Sequence, residues 1–219
     1  EQNGIAHAGA GANLAQARRP GIVEEKGLKV GLLSYTDMAN IVYKGNPQIS
    51  FAAGLDKPGV APRELEYIKE DIDKIRAEVD ILIVSLHWGV EESFTILQEQ
   101  RDFAYSVLDH GADIILGHHP HQFQGIEIYK GKPIVYSMGN FIFDQNDPEN
   151  QESFIMEIYY KDKKLSEFSA IPVRTINKTQ VEIIKGESAT ELLEREIRLS
   201  EELGTRSTIK EDKLIFEIN

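Results

Sequence analysis

Between Arg63 and Val79 the apolar positions Leu65, Ile68, Ile72, Ile75 and Val79 recur at spacings of three and four. That spacing lays them on one face of an amphipathic helix, with Asp and Lys on the other. The run Ile81-Leu82-Ile83-Val84-Ser85-Leu86 follows and predicts a buried strand over Asp80–Leu86. A second helix is predicted from about Leu97 to His110, closed by Gly111 as a C-cap. A second apolar strand then spans Asp113–Leu116. Residues 63–117 therefore read helix, strand, helix, strand, a parallel α/β unit. Its functional loops belong at the carboxyl ends of the strands.

The flanking segments are less regular. Residues 1–20 are rich in Gly and Ala and include a short helical stretch, Leu14 to Arg19, stopped by Pro20. Gly9 and Gly11 read as a tight turn, because a third glycine and the Lys-Ser/Thr of a phosphate loop are both absent. Glu24–Gly27 is a predicted turn and Leu28–Tyr35 a strand. Residues 36–62 lack any period and are expected to form a long surface loop. Beyond the α/β unit, Gln124–Tyr129 and Ile134–Ser137 flank the turn Lys130-Gly131-Lys132-Pro133 as a hairpin. Further strands are predicted at Phe154–Tyr160, Phe168–Arg174, Gln180–Ile184 and Lys213–Ile218, interrupted by a helix over Glu191–Leu203. The whole is expected to be one domain, with a motif-bearing α/β part over 1–150 and a β-rich completion over 151–219.

Composition narrows the chemistry. The 219 residues hold 36 acidic against 24 basic side chains, a net charge of −12. This disfavours nucleic acid as a partner, since phosphate neutralisation needs a basic face. It leaves an anionic substrate open, because bound ions can supply local positive charge. Cysteine is absent, which excludes disulfides, thiolate metal sites and a thiol nucleophile. No apolar run approaches the roughly 20 residues of a membrane-spanning helix.

The histidines carry the strongest signal. Half of the six fall in Gly117-His118-His119-Pro120-His121, directly after the second apolar strand, and His87 ends the first. Neutral imidazoles at strand ends suit a metal site. Pro120 stiffens the loop, and Gly117 is expected to let the backbone leave the strand sharply. Such a loop can grip one divalent ion or bridge two about 3.5–4 Å apart. The third histidine would orient a ligand or contact substrate. Tyr136-Ser137-Met138-Gly139-Asn140-Phe141-Ile142-Phe143-Asp144 reads as strand–turn–strand, presenting the Asn140 amide with Asp144 beyond it as a supporting acid. Glu91 and Glu92 read as the start of the following helix. His7 reads as a surface residue, and His110 as a helix-terminal one. No Gly-x-Ser-x-Gly occurs, so serine hydrolase chemistry has no support.

Three segments, Ser85-Leu86-His87-Trp88-Gly89-Val90-Glu91, Gly117–His121 and Tyr136–Asp144, resemble in order the downstream motifs of the CapA family. These are bacterial capsule or poly-γ-glutamate synthesis proteins, which look like members of the calcineurin-type metallophosphoesterase superfamily. Gly4-Ile5-Ala6-His7-Ala8-Gly9-Ala10-Gly11 is similar to the family's mid-region. The resemblance implies an αββα sandwich with divalent metal, Mn, Fe, Zn or Ca and up to two ions. It implies His87, His118 and His121 as ligands, with the choice between His118 and His119 open, and catalytic roles for His119 and Asn140. It further implies a capsule-biosynthesis protein with a metal-dependent hydrolase-like site, phosphoesterase-like or γ-glutamyl hydrolase or transferase. The alternative is a non-catalytic polymer-binding or export component. Expected partners are an anionic polymer or phosphoester-type substrate and capsule-synthesis membrane proteins. The expected location is extracytoplasmic, membrane-anchored through a segment preceding Glu1. The family's upstream motifs, Gly-Asp, Asn-x-Glu and Asn-Asn-His, do not occur ahead of these three segments in the chain. They are expected to precede Glu1, so the chain reads as a C-terminal portion, inactive on its own.

Overall fold

The computed structural model describes residues 4–43 and 49–218. They form two compact units, Glu1–Trp88 with Glu99–Ile115, and Gly89–Gln98 with Leu116–Asn219. The fold is α/β, as the apolar patterning predicts, with both parallel and antiparallel strand pairs.

In the first unit, β1 (Ala10–Gly11) precedes a four-residue helix, α1 (Leu14–Ala17), capped by the Asn13 side chain. Strand β2 (Gly21–Glu25) then pairs antiparallel with β3 (Leu28–Thr36). The expected turn lies between them at Lys26 and Gly27, both at positive φ, the hairpin geometry matched to strand twist. The segment expected to be an irregular loop holds short β4 (Val42–Tyr43), β5 (Ile49–Ser50) and β6 (Gly59–Val60), and a 3-10 turn at Asp37–Asn40. Residues 44–48 of that loop lie outside the described residues.

Helix α2 (Leu65–Ile75) buries Ile68, Ile72 and Ile75. It is shorter than its apolar period, and the last turn tightens to 3-10 over Arg76–Glu78. The Arg76 guanidinium explains this ending. It donates to the carbonyls of Val79, Asp80 and Gly111 and to the Asp113 carboxylate, gathering chain that leaves the helix. Strand β7 (Ile81–His87) pairs parallel with β3, in a register that sets Thr36 opposite His87. Helix α3 (Gln98–His110) ends at Gly111, whose φ of 133° supplies the expected C-cap. Strand β8 (Ile114–His118) begins in this unit and ends in the next. Strand order in the first unit is β2-β3-β7-β8. Tyr35, Arg18 and Lys74 all converge on the buried Asp71 carboxylate.

The second unit adds the hairpin of β9 (Ile126–Tyr129) and β10 (Lys132–Val135), with order β8-β10-β9. A second sheet follows, built from β11 (Glu152–Lys161), β12 (Lys164–Ile176), β13 (Gln180–Ile183), β14 (Ser207–Lys210) and β15 (Lys213–Phe216). Its order is β11-β12-β15-β14, with β13 also on β12. Helix α4 (Glu187–Glu201) closes the core, Leu192 and Leu193 packing with Phe123, Ile126, Phe154, Phe168 and Phe216. The helix is tied to β9 by side chains: Ile126 N–H donates to Ser200 Oγ and Ile128 N–H to Thr205 Oγ1, both at 2.9 Å. Ser200 in turn donates to the fully buried Glu196. Burial outweighs the Ser200 hydrogen bond and the nearby Arg195 charge and pushes that carboxyl up to about 8. Among the described residues no helix is long and apolar enough to cross a membrane.

Candidate functional site

His87 is the last residue of β7, where the apolar run ends. The parallel register brings Thr36 of β3 alongside, and Thr36 Oγ1 lies 3.1 Å from His87 Nδ1. The same hydroxyl oxygen accepts the Met38 N–H at 3.0 Å, which pins it at the start of the 3-10 turn. His87 also lines a cavity of about 570 Å³ in the first unit, with Ser34, Thr36, Phe51 and Gly59 around it. His7 is exposed, and His110 ends α3 with its Nε2 3.0 Å from Asp73.

In the second unit β8 runs through Gly117 to His118. The expectation that Gly117 makes the break is therefore corrected: Gly117 is a strand residue, and the chain turns at His119 and His121. Those two histidines have φ of 107° and 64°, and a φ above zero is uncommon for a side chain with a Cβ. Strain of this kind gathers at functional loops, held by surrounding bonds. Here Pro120 is buried and its carbonyl accepts the Glu92 N–H at 2.9 Å. His118 lies largely buried, and loss of hydration lowers its pKa, keeping the ring neutral. The His119 side chain is only 10% exposed, with Nδ1 3.9 Å from the Glu91 carboxylate, and its ring centroid lies 6.4 Å from that of His121.

Asn140 fixes His121. Its Nδ2 donates to the Asn150 carbonyl at 3.0 Å, and a carbonyl can only accept. Oδ1 must then face the other way, where it lies 3.0 Å from His121 Nδ1. His121 Nδ1 therefore carries a proton, which leaves Nε2 as the nitrogen able to offer a lone pair. The Phe143 ring covers one side of His121, with centroids 5.3 Å apart. Asn140 is itself set by Gly139, at φ 73° and bridged to Ser153 of β11. A Cβ on Gly139 would sit 2.6 Å from the Glu152 carbonyl oxygen, so only glycine fits.

The expected strand–turn–strand at Tyr136–Asp144 is not formed. Strand β10 stops at Val135, Met138 and Gly139 make single bridges, and 141–147 have no regular structure. Asp144 is exposed and makes no hydrogen bond among the described residues. Glu91 and Glu92 do not begin a helix, since α3 starts at Gln98. Instead they flank the histidine loop, Glu92 also lying 3.4 Å from Asn150 Nδ2. Thr36, Glu91 and Asn150 are the partners that sequence reasoning missed. Each depends on register or loop closure, and Asn150 would have needed its ten-residue return to Asn140 to be known.

The donor chemistry of this chain suits a divalent ion in part. His118 is held neutral and His121 has Nε2 left able to offer a lone pair, both as a metal ligand requires. Among the described residues, however, no three His, Asp or Glu side chains are grouped so as to hold an ion.

Residues 1–145 match the family model described as bacterial capsule synthesis protein PGA_cap. The chain is 31% identical over 212 residues to the PGA biosynthesis protein CapA of Bacillus subtilis (strain 168), covering 96% of this chain and 53% of that protein. It is 26% identical over 221 residues to the capsule biosynthesis protein CapA of Bacillus anthracis, covering 97% and 51%. It is 34% identical over 165 residues to a probable polyglutamine synthesis accessory protein of Mycobacterium tuberculosis (strain CDC 1551 / Oshkosh), covering 71% and 42%. The chain thus spans about half the length of the curated relatives it matches.

Proposed function

This chain belongs to the bacterial capsule synthesis family PGA_cap, and from that premise we propose that its histidines serve a metal-dependent hydrolase-type centre. The substrate class is a capsule polymer of the poly-γ-glutamate type, or a phosphoester related to its synthesis. The observation that carries the reading is the Asn150–Asn140–His121 chain of hydrogen bonds, which commits Nδ1 to donating and leaves Nε2 as the nitrogen able to meet an ion. A histidine kept merely for packing has no need of a two-residue relay to fix its tautomer.

In this proposal His118 and His121 are the second unit's ligands to the ion and His87 is the first unit's candidate; the ion when bound would polarise a carbonyl or phosphoryl oxygen and acidify water. Asn140 orients His121, and Asn150 orients Asn140. Thr36 positions His87 through the 3.1 Å contact. His119, beside Glu91 on the strained loop, is the proposed proton donor to the leaving group. Work in the cell envelope, outside the cytoplasm and alongside membrane proteins of capsule synthesis, is part of the same proposal.

The test uses the whole protein with added Mn²⁺, assayed on phosphoester and γ-glutamyl substrates. Wild type should turn over at least one class and His121→Ala should lose that turnover. Equal activity in the two would sink the role given to His121.

A second reading is a non-catalytic polymer-handling or assembly component. It is favoured by the absence, among the described residues, of three grouped metal-capable side chains. The word accessory in the mycobacterial relative's name accords with it. It predicts polymer binding without turnover and indifference to chelators.

A further inference from the structure

We infer that an arginine-lined pocket in the second unit binds carboxylate groups of an acidic polymer, a recognition subsite apart from the histidines. The inference rests on the capsule-polymer reading above for the source of the carboxylate. The pocket has a volume of about 450 Å³ and is lined by Glu152, Arg174, Ser188, Glu191, Arg195 and Arg198. Three cations against two carboxylates make it a locally basic place on a chain of net charge −12.

The arrangement is built. Ser188, Glu191, Arg195 and Arg198 follow one another at spacings of three and four, and so share one face of α4. Arg174 of β12 is paired across the sheet with Glu152 of β11. Glu152 bonds both Arg174, at 2.9 Å, and Arg195, so one carboxylate holds two guanidinium groups side by side. Arg195 is further fixed over the rings of Phe94 and Phe123, 5.6 and 4.7 Å from their centroids. Each guanidinium carries five N–H donors, and Glu152 takes one from each. Among the described residues the Arg198 side chain makes no hydrogen bond or ion pair, and the buried Nε of Arg195 has no partner. Glu182, opposite Arg174 on β13, makes no ion pair with it. The remaining guanidinium N–H donors of Arg174 and Arg195, oriented by Glu152, match planar carboxylates, and the exposed Arg198 adds a third cation beside them. A polymer with a carboxylate on every unit could engage several at once.

The pocket also adjoins the Asn140 turn through the chain. Glu152 packs its carbonyl on Gly139, and Phe123, beneath Arg195, lies two residues beyond His121. Polymer anchored here would be presented to the histidine loop of the same unit.

The experiment is fluorescence anisotropy of a labelled γ-linked glutamate oligomer with the whole protein, for wild type, Arg174→Gln, Arg198→Gln and Glu191→Gln. Each arginine variant should weaken binding by about tenfold, the worth of one charge-assisted contact, and flatten its salt dependence. Glu191→Gln should bind at least as tightly as wild type. Arg198 is exposed, so a folded Arg198→Gln protein is expected, checked by circular dichroism. Wild-type affinity in both arginine variants, or no oligomer binding by wild type, would overturn the inference. So would displacement of the oligomer by inorganic phosphate but not by glutarate, which would make the pocket a phosphate site. His121→Ala separates the two proposals: intact oligomer binding with lost turnover supports both. Loss of binding in that variant, with the arginines untouched, would overturn the pocket as an independent subsite.

Discussion

His121 Nδ1 lies 3.0 Å from Asn140 Oδ1, and Asn140 Nδ2 lies 3.0 Å from the Asn150 carbonyl. The second bond fixes the amide, the amide fixes the imidazole tautomer, and the tautomer decides which nitrogen can meet an ion. Asn140→Ala deletes this control while leaving the imidazole in place. We expect Mn²⁺ affinity of the whole protein to fall by roughly 10- to 100-fold, the usual cost of losing such an outer partner. Titration calorimetry of the two proteins checks it, and unchanged affinity would show that the relay orients nothing of consequence.

Gly139→Ala tests the backbone beneath Asn140. The new Cβ would stand 2.6 Å from the Glu152 carbonyl at a φ of 73°, where alanine is strained as well as crowded. A loss of about 1–3 kcal/mol is expected from combined strain and displacement. Chemical denaturation measures the loss. Removing the glycine should also weaken metal binding, because the Asn140 amide moves with the turn.

Glu196 gives a pH dependence with a definite sign. Its ordinary value is 4.5, and burial pushes it up to about 8 in the folded protein. Between those values the unfolded chain has lost the proton that the folded chain keeps, so stability falls as pH rises from about 4.5 to about 8 and this contribution is level above. Glu196→Gln, which cannot ionise, should flatten that part of the profile. Urea midpoints at pH 5, 7 and 9 make the comparison, and parallel profiles would contradict the assignment.

Long apolar periods were legible in the sequence, and so were the elements that carry His87 and His118. The α2 face, the β7 run and the Gly111 cap all lie where the spacing puts them. Edge strands such as β2, with Ile22 and Val23 exposed, and polar β14 gave no such signal. The hairpin turns at Asp162-Lys163, Asn177-Lys178 and Glu211-Asp212 adopt positive φ without glycine, so the usual marker was absent. The site followed the same division. Ligand candidates at strand ends could be read, but the partners that orient them could not. Thr36 reaches His87 through strand register and Asn150 reaches Asn140 through a loop, and neither relation is a local pattern. Gly117 misled because glycine usually marks a break, whereas here the strained histidines themselves make the turn.

The central claim is that His121 offers its Nε2 to a metal ion. Electron spin-echo envelope modulation of the Mn²⁺-loaded whole protein reads nitrogen bound to the ion directly. Wild type should show histidine nitrogen modulation that is diminished in His121→Ala at matched metal loading. Identical modulation in the two proteins would contradict the claim and leave His121 as a structural residue of the loop.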